Sequence, residues 1–263
     1  MEYEDRIICF IDILGFQEII SHTLDSSGNT ITKKVEILED AFSKIIYFLD
    51  TECPNEFSES KMVTQFSDCV VISFKCSEKS EVFSTLLDIQ LLLINLVYHG
   101  MICRGGIVSG KIIHTEKMIF GPGLIDAYIL ESKGANYPRI IVDEAVLEVA
   151  KRYRAHHHTV EEELDSVMRI LGKDIDGMYY IDYFASAQSG LDDPELDFPE
   201  YLEELSKIIA QGITSSKPDI KVKYNWLKQN YNRVVKRCRD KFQPSQSEDY
   251  NLGNAYHSLR IFE

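Results

Sequence analysis

Two aspartates, each at the end of an apolar run, have the residue type and the setting for metal-assisted phosphate chemistry. Asp12 closes the segment RIICFID, and Asp68 stands between two short apolar runs, where we expect the turn of a hairpin. A carboxylate at a strand end is anchored by the sheet yet open to solvent, which suits a divalent cation. Gly15 follows at an expected helix start, where free backbone amides can receive a polyphosphate. Each aspartate taken alone could instead be a turn former or a helix N-cap.

The pattern around these aspartates predicts strands at 6–12, 62–66, 69–74, 103–109, 111–115 and 138–143 and helices at 16–22, 32–49, 81–98 and 122–132. The helix at 32–49 is expected because its apolar residues recur at helical spacing. Strand hairpins mixed with helices indicate an α+β fold, an antiparallel-rich sheet with packed helices. We assign this core to residues 1–145.

The remaining chain, residues 146–263, is predicted to be a mainly helical C-terminal extension packed on the core. We expect helices at 161–171, 201–211 and 221–238 and an aromatic strand at 177–183. The polar tail after Phe242 is expected to be loosely ordered.

Composition limits the possible partners and the compartment. The formal net charge of −14 argues against a general nucleic-acid or anionic-membrane surface. The apolar run before Asp12 is too short for a signal peptide, and the stretch at 86–97 is too short and interrupted to span a bilayer. The six cysteines include no CxxC pair, as is typical of free thiols in a reducing cytosol. We therefore expect a cytoplasmic protein with no membrane partner.

Three further signals are interpreted as structural. The histidines at 156–158 suggest metal binding by composition alone, and we interpret them as a solvated segment. The stretch at 174–177 begins like a calcium loop but lacks its later ligands, so a hairpin turn is expected. The basic run at 221–239, with Trp226, is interpreted as an amphipathic helix docked on the core.

Four segments resemble, in order and spacing, the motifs of class III nucleotidyl cyclases. FIDILGF at 10–16 is similar to their first metal motif, and FSD at 66–68 is similar to the second. RGGIVSG at 104–110 and FGPGLIDAYILES at 120–132 resemble the family's glycine-containing strand and the helix that follows it. ANYPRI at 135–140 and DGMYYIDY at 176–183 point to the pyrimidine cyclases of bacterial Pycsar antiphage defence.

The resemblance implies a reaction and a set of ligands. Asp12 and Asp68, with the Ile13 carbonyl as an extra ligand, would hold two divalent cations, Mg²⁺ or Mn²⁺. The backbone amides of Leu14, Gly15 and Phe16 would cradle the β- and γ-phosphates. UTP or CTP would become the 3′,5′-cyclic monophosphate and pyrophosphate. The resemblance also implies a homodimer with interfacial active sites and a separate effector protein that senses the product.

The chain departs from purine cyclases where they recognise the base and the transition state. Thr64 stands in place of a base-reading lysine, and Ile125 and Ile129 stand in place of an asparagine and an arginine. These changes favour a pyrimidine substrate, or alternatively loss of activity; UTP and CTP are not distinguished. Thr64 could bond a pyrimidine edge. The alternatives are an adenylate or guanylate cyclase with an atypical base pocket and a catalytically silent nucleotide-binding module.

Two other residues, Arg139 and Tyr128, have two interpretations each, and a third, Arg104, has one. Arg139 could be a catalytic contact to phosphate, across the dimer, or it could form a surface ion pair. Tyr128 could line the base pocket, although a packed core tyrosine is the preferred interpretation. Arg104 is expected to have a structural role.

Overall fold

The computed structural model describes residues 2–49, 60–243 and 250–263. The strands are β1 (Glu4–Ile13), β2 (Met62–Phe66), β3 (Cys69–Lys75), β4 (Cys103–Thr115), β5 (Met118–Phe120), β6 (Ile140–Val142), β7 (Leu171–Lys173) and β8 (Tyr179–Ile181). The α-helices are α1 (Phe16–Ser21), α2 (Thr32–Leu49), α3 (Glu81–Tyr98), α4 (Pro122–Ile129), α5 (Glu144–Arg152), α6 (Val160–Ile170), α7 (Asp197–Gly212), α8 (Pro218–Lys241) and α9 (Tyr250–Ser258). The five described cysteines are free thiols, and Cys53 lies outside the described residues.

One mixed sheet organises the chain. Its strand order is β2-β3-β1-β4-β6-β8-β7, with β5 paired to β4 as a hairpin. Of these pairings, β4–β6 is parallel and the others are antiparallel. The predicted α+β fold with an antiparallel-rich sheet is confirmed.

Alternating residues of β1 face two different layers, as the period of two in a strand requires. Ile7, Cys9 and Ile11 belong to the main core, which also contains buried residues of α2 and α3. Ile8 and Phe10 lie on the opposite face with a smaller apolar cluster that includes Ala127 of α4. We call this second side of the sheet the α4 face.

The close packing of α4 depends on a glycine. A Cβ atom at Gly106 would lie 2.7 Å from the carbonyl oxygen of Ala127 and 2.9 Å from the Cβ of Leu130. These distances are shorter than van der Waals contact, so any side chain here would push the helix off the sheet. Glycine in β4 therefore sets the height of α4 above the α4 face.

The structure differs from the sequence-based expectations at several elements. The two strands predicted on either side of Gly110 are one continuous strand, β4, and α4 continues into a π-helical turn at Leu130–Gly134. The predicted boundary at 145/146 falls inside α5, and β8 pairs with β6, so core and extension share one sheet. The tail contains α9, and Phe262 is buried, contrary to the expected loose order.

Helix α3 is the central core helix. Among the described residues it alone is long and apolar enough to cross a bilayer, and 61% of that window is buried inside the fold. Burial to this extent is typical of the core helix of a globular protein.

Candidate metal and nucleotide site

The ends of β1 and of the β2–β3 hairpin bring Asp12 and Asp68 together. Asp12 pairs with Cys69 in the β1–β3 ladder, and the Ile13 amide donates to the Asp68 carbonyl oxygen at 3.1 Å. Ser67 takes a left-handed conformation (φ 57°) at the turn. One ligand atom from each of Asp12, Asp68 and Cys69 lies within 4.8 Å of the others. Within the part of the chain that the structure describes, this is the one such group of metal-ligating side chains.

Arg104 and Glu131 surround the Asp12 carboxylate. The Arg104 Nε donates to Asp12 Oδ2 at 3.1 Å and lies 2.6 Å from Glu131 Oε1, in an ion pair without hydrogen-bond alignment. Burial raises the pKa of Asp12, and the hydrogen bond and charge of Arg104 offset part of this effect. Burial likewise raises the pKa of Glu131. The positive charge of Arg104 thus offsets part of the cost of burying the two carboxylates, Asp12 and Glu131.

The donor set fits a hard divalent cation. Carboxylate and carbonyl oxygens are the ligands that Mg²⁺ and Mn²⁺ prefer. Burial and the charge of Asp12 raise the pKa of the Cys69 thiol to about 12, so the thiol is protonated in the metal-free protein. The Cys69 thiol donates a hydrogen bond to Asp12 Oδ1 at 3.6 Å. The Asp12 and Asp68 carboxylates are therefore the oxygen ligands that the fold brings together, and the Ile13 carbonyl stays a predicted extra ligand.

The turn after β1 presents two unpaired amides. Gly15 has a left-handed backbone (φ 76°) and precedes α1. The N–H groups of Gly15 and Phe16 have no hydrogen-bond partner among the described residues. The Leu14 amide, in contrast, donates to the Ile102 carbonyl oxygen at 2.9 Å. The structure therefore contradicts the predicted phosphate contact of the Leu14 amide and leaves Gly15 and Phe16 available.

Tyr128 and Thr64 lie on the α4 face, which also carries Asp12. The Tyr128 side chain is 53% exposed and packs edge-to-face on Phe10, with ring centroids 5.7 Å apart. The packed-core interpretation of Tyr128 is therefore wrong. The Thr64 hydroxyl is half-buried and lies 2.8 Å from His114 Nε2.

Arg139 lies elsewhere, and neither predicted role fits its position. Its guanidinium is fully buried, bonds Asp174 at 2.5 Å and also pairs with Asp176. The Trp226 indole donates to the same Asp174 carboxylate at 2.7 Å. Because both terminal nitrogens are engaged, the predicted phosphate contact is contradicted, and the ion pair is a buried one. The expected hairpin turn at 174–177 is found between β7 and β8.

The histidine segment also has a structural partner. His158 Nδ1 lies 2.7 Å from the fully buried Glu163 carboxylate, which accepts from the Ala155 amide and the Ser80 hydroxyl as well. The segment is therefore anchored at His158 and is not merely solvated.

Sequence reasoning gave Arg104 only a structural role, and it missed Glu131 beside Asp12 and His114 beside Thr64. Arg104 is the residue opposite Asp12 in the β1–β4 ladder. The segment RGGIVSG, which begins with Arg104, would have indicated this contact if its register with β1 had been known. No local signal connects His114 with Thr64, because the two lie on strands that are far apart in the chain.

No family model matches the chain, and no curated protein matches it. Solved structures are similar in fold. A bacterial light-regulated adenylyl cyclase is 20% identical, with a TM-score of 0.40 over 56% of this chain and 79% of that one. The adenylyl cyclase CyaB from P. aeruginosa is 14% identical, with a TM-score of 0.43 over 69% of this chain and 95% of that one. With TM-scores below 0.5, these similarities carry no argument about the site.

Proposed function

We propose that the protein is a metal-dependent pyrimidine nucleotide cyclase of the class III type, which converts UTP or CTP into the 3′,5′-cyclic monophosphate and pyrophosphate. The observation that carries the proposal is the convergence of Asp12 and Asp68 within 4.8 Å at the ends of adjacent strands. The order of the four motifs that resemble the family supports it. In the same proposal, the product is a second messenger of antiphage defence that a separate effector senses.

The reaction joins the ribose 3′-oxygen to the α-phosphorus, breaks the bond to the β-phosphate oxygen and releases pyrophosphate and the hydroxyl proton. Two bound cations would favour the 3′-alkoxide and neutralise the triphosphate. Asp12 and Asp68 would hold these cations, and the amides of Gly15 and Phe16, which have no partner among the described residues, would receive phosphate oxygens. Arg104 would position the Asp12 carboxylate through Oδ2, and Oδ1, which accepts only the weak thiol donor of Cys69, would keep a lone pair for a ligand.

The base would lie across the α4 face. Phe10 and Tyr128 offer aromatic surface there, and Thr64 offers a hydroxyl at its far side. Ile125 and Ile129 are exposed, so the chain has apolar surface where purine cyclases carry an asparagine and an arginine. This difference supports a pyrimidine substrate and also keeps open a catalytically silent module.

Exposed apolar residues near the site support a homodimer. They lie on β5 and α4, at the end of β2 and just before β1, and are Tyr3, Phe66, Met118, Phe120, Ile125, Tyr128 and Ile129. Exposed large apolar side chains are enriched where proteins bind one another. We propose that two copies pack through these residues and that each completes the other's active site.

The test is incubation of the pure protein with each of the four nucleoside triphosphates and Mn²⁺, with cyclic nucleotide separated by chromatography and pyrophosphate measured independently. We expect cyclic product from UTP or CTP, and loss of turnover in Asp12→Asn and Asp68→Asn. Turnover of ATP or GTP alone would replace the proposal with a purine cyclase. Nucleotide-dependent thermal stabilisation without pyrophosphate would favour the silent module.

A further inference from the structure

An open cavity of about 220 Å³ lies between the β7–β8 hairpin and α8. Gly172 and Tyr180 of the hairpin line one side of it, and Asn230 and Arg233 of the helix line the other. In the sheet, β6 and β4 separate β8 from β1, the strand that carries Asp12. This cavity, which we call the α8 cavity, is therefore separate from the metal and nucleotide site.

A buried hydroxyl group lines the α8 cavity. Tyr180 is only 5% exposed, and its hydroxyl forms no hydrogen bond with any described residue. A Cβ atom at Gly172 would lie 2.8 Å from that hydroxyl oxygen, so glycine on β7 leaves the space in which the ring lies. Burial raises the pKa of Tyr180, so the hydroxyl keeps its proton and can donate it. A buried donor without an acceptor is unfavourable, and a ligand in the cavity would supply the acceptor.

A buried amide on α8 orients one of the arginines that line the cavity. Asn230 is buried, and its Nδ2 donates to the Trp226 carbonyl oxygen at 3.0 Å. Its Oδ1 accepts from Arg233 Nη1 at 3.1 Å. A guanidinium has five N–H donors, so Arg233 keeps several of them for a ligand.

Three cations and one carboxylate line the α8 cavity. Arg237 lies one helical turn after Arg233 on α8, and Lys173 belongs to β7. In the described part of the chain none of the three forms an ion pair, and Lys173 and Arg233 bond only neutral groups. The carboxylate is that of Asp182, whose oxygens accept the backbone amides of residues 184–186. With Asp182 ionised, the lining has an excess of two positive charges, in a protein whose formal net charge is −14.

A small phosphate ester fits this lining. Guanidinium groups bind phosphate oxygens through paired N–H donors, and the Tyr180 hydroxyl offers a further donor. A phosphate monoester carries a charge of about −2 at neutral pH, which matches the excess of the lining. The cavity is smaller than the roughly 300–1,000 Å³ of pockets for drug-sized ligands, so the ligand is small. Phe184 and Val234 line the same cavity and offer apolar contact to the rest of the molecule.

We propose that the α8 cavity is a second ligand site, which binds the phosphate group of a small phosphate monoester. The three cations would neutralise the phosphate, and the Tyr180 hydroxyl would donate to one of its oxygens. The proposal goes beyond the proposed function and does not rest on it, because the cavity shares no residue with the metal and nucleotide site. A single-stranded nucleic acid on the basic face of α8 is disfavoured, since it would contact the exposed cations without engaging the buried Tyr180 hydroxyl.

The test is isothermal titration calorimetry with phenyl phosphate, in EDTA and at constant chloride concentration, so that no metal-bound phosphate at the aspartates contributes. We expect one site per chain with a dissociation constant below about 1 mM, and binding of the singly charged benzoate at least about tenfold weaker. Arg233→Gln and Arg237→Gln should each weaken the binding of phenyl phosphate by about tenfold or more.

Two further variants separate this site from general charge and from stability. Lys236→Gln removes a positive charge from an exposed position of α8 that does not line the cavity, and should leave binding unchanged within about twofold. Tyr180→Phe removes only the hydroxyl, so the melting temperature should stay the same or rise, while binding weakens by about three- to tenfold.

Three results would each overturn the proposal: no binding of phenyl phosphate, equal binding of benzoate, or binding that Tyr180→Phe and the two arginine variants leave unchanged. Tighter binding of an oligothymidylate, weakened as much by Lys236→Gln as by Arg237→Gln, would overturn it in favour of a basic surface for single strands. None of these measurements depends on nucleotide turnover, so a refuted cyclase function would leave the test intact.

Discussion

Asp12→Asn separates a metal ligand from a turn former, because the two roles have opposite effects on the metal-free protein. The pKa of Asp12 is raised in the fold, mainly by burial. The stability contribution of such a group is present below its ordinary pKa of 3.8 and is lost as pH rises through its folded value. Asparagine stays neutral, so at pH 7 the metal-free variant should unfold at a higher temperature than the wild type. The two should converge as pH falls toward 3.

The charge of the neighbouring Asp68 carboxylate adds a smaller contribution to that of burial. Two unit charges 4.8 Å apart repel by roughly 1 to 3.5 kcal/mol at effective dielectric constants of about 80 to 20. In the wild type the hydrogen bond and charge of Arg104 outweigh this repulsion, and burial remains the main reason for the raised pKa of Asp12. Mn²⁺ at about 100 times its dissociation constant would stabilise the wild type by about 2.7 kcal/mol, a shift of roughly 5–10 °C for a chain of this length. The variant should lack that shift.

The assay is thermal unfolding with and without Mn²⁺ at pH 7, beside pyrophosphate release. We expect activity of Asp12→Asn to fall by at least about 10²-fold. Asp165→Asn is the matched control, since Asp165 is exposed on α6 and has no described hydrogen bond or ion pair. It should keep both the activity and the Mn²⁺ shift.

Two results would refute this reasoning. An Mn²⁺ shift in Asp12→Asn equal to that of the wild type would remove Asp12 from the metal site. A metal-free variant that is clearly less stable than the wild type at pH 7 would make Asp12 a structural turn residue.

Three further changes test the surroundings of the site. Arg139→Met should destabilise the fold by about 3–5 kcal/mol, because the largely buried Asp174 keeps its neutral hydrogen bonds but loses its cationic partner. Urea unfolding measures this loss; unchanged stability with lost turnover would instead indicate a catalytic role for Arg139. Gly106→Ala should lower both activity and melting temperature by displacing α4, and a fully active variant would contradict the close packing. Ile125→Glu should give a monomer by light scattering and lose turnover; an active monomer would refute the interfacial site.

Residues close in sequence to the aspartates were predictable because their pattern is local. An apolar strand that ends in aspartate, a glycine that precedes a short helix, and a two-residue turn between alternating runs each depend on contacts within a few residues. Helices α2 and α3 have the predicted bounds, since a sustained apolar period over eighteen residues leaves little ambiguity. The short strand β7 and the helix α5 were missed, because three and nine residues respectively give a weak period.

The sequence by itself determined that Asp12 and Asp68 stand at strand ends, because strand periodicity and turn chemistry are properties of neighbouring residues. Only the tertiary structure decided which arginine side chain pairs with the Asp12 carboxylate. Arg104, 92 positions away, is brought to it by the β1–β4 register, while Arg139 is drawn into a buried pair with Asp174, 35 positions away. His114 reaches Thr64 across 50 positions in the same way. A side chain's partner across a sheet depends on register and on which face it occupies, and long-range packing sets both.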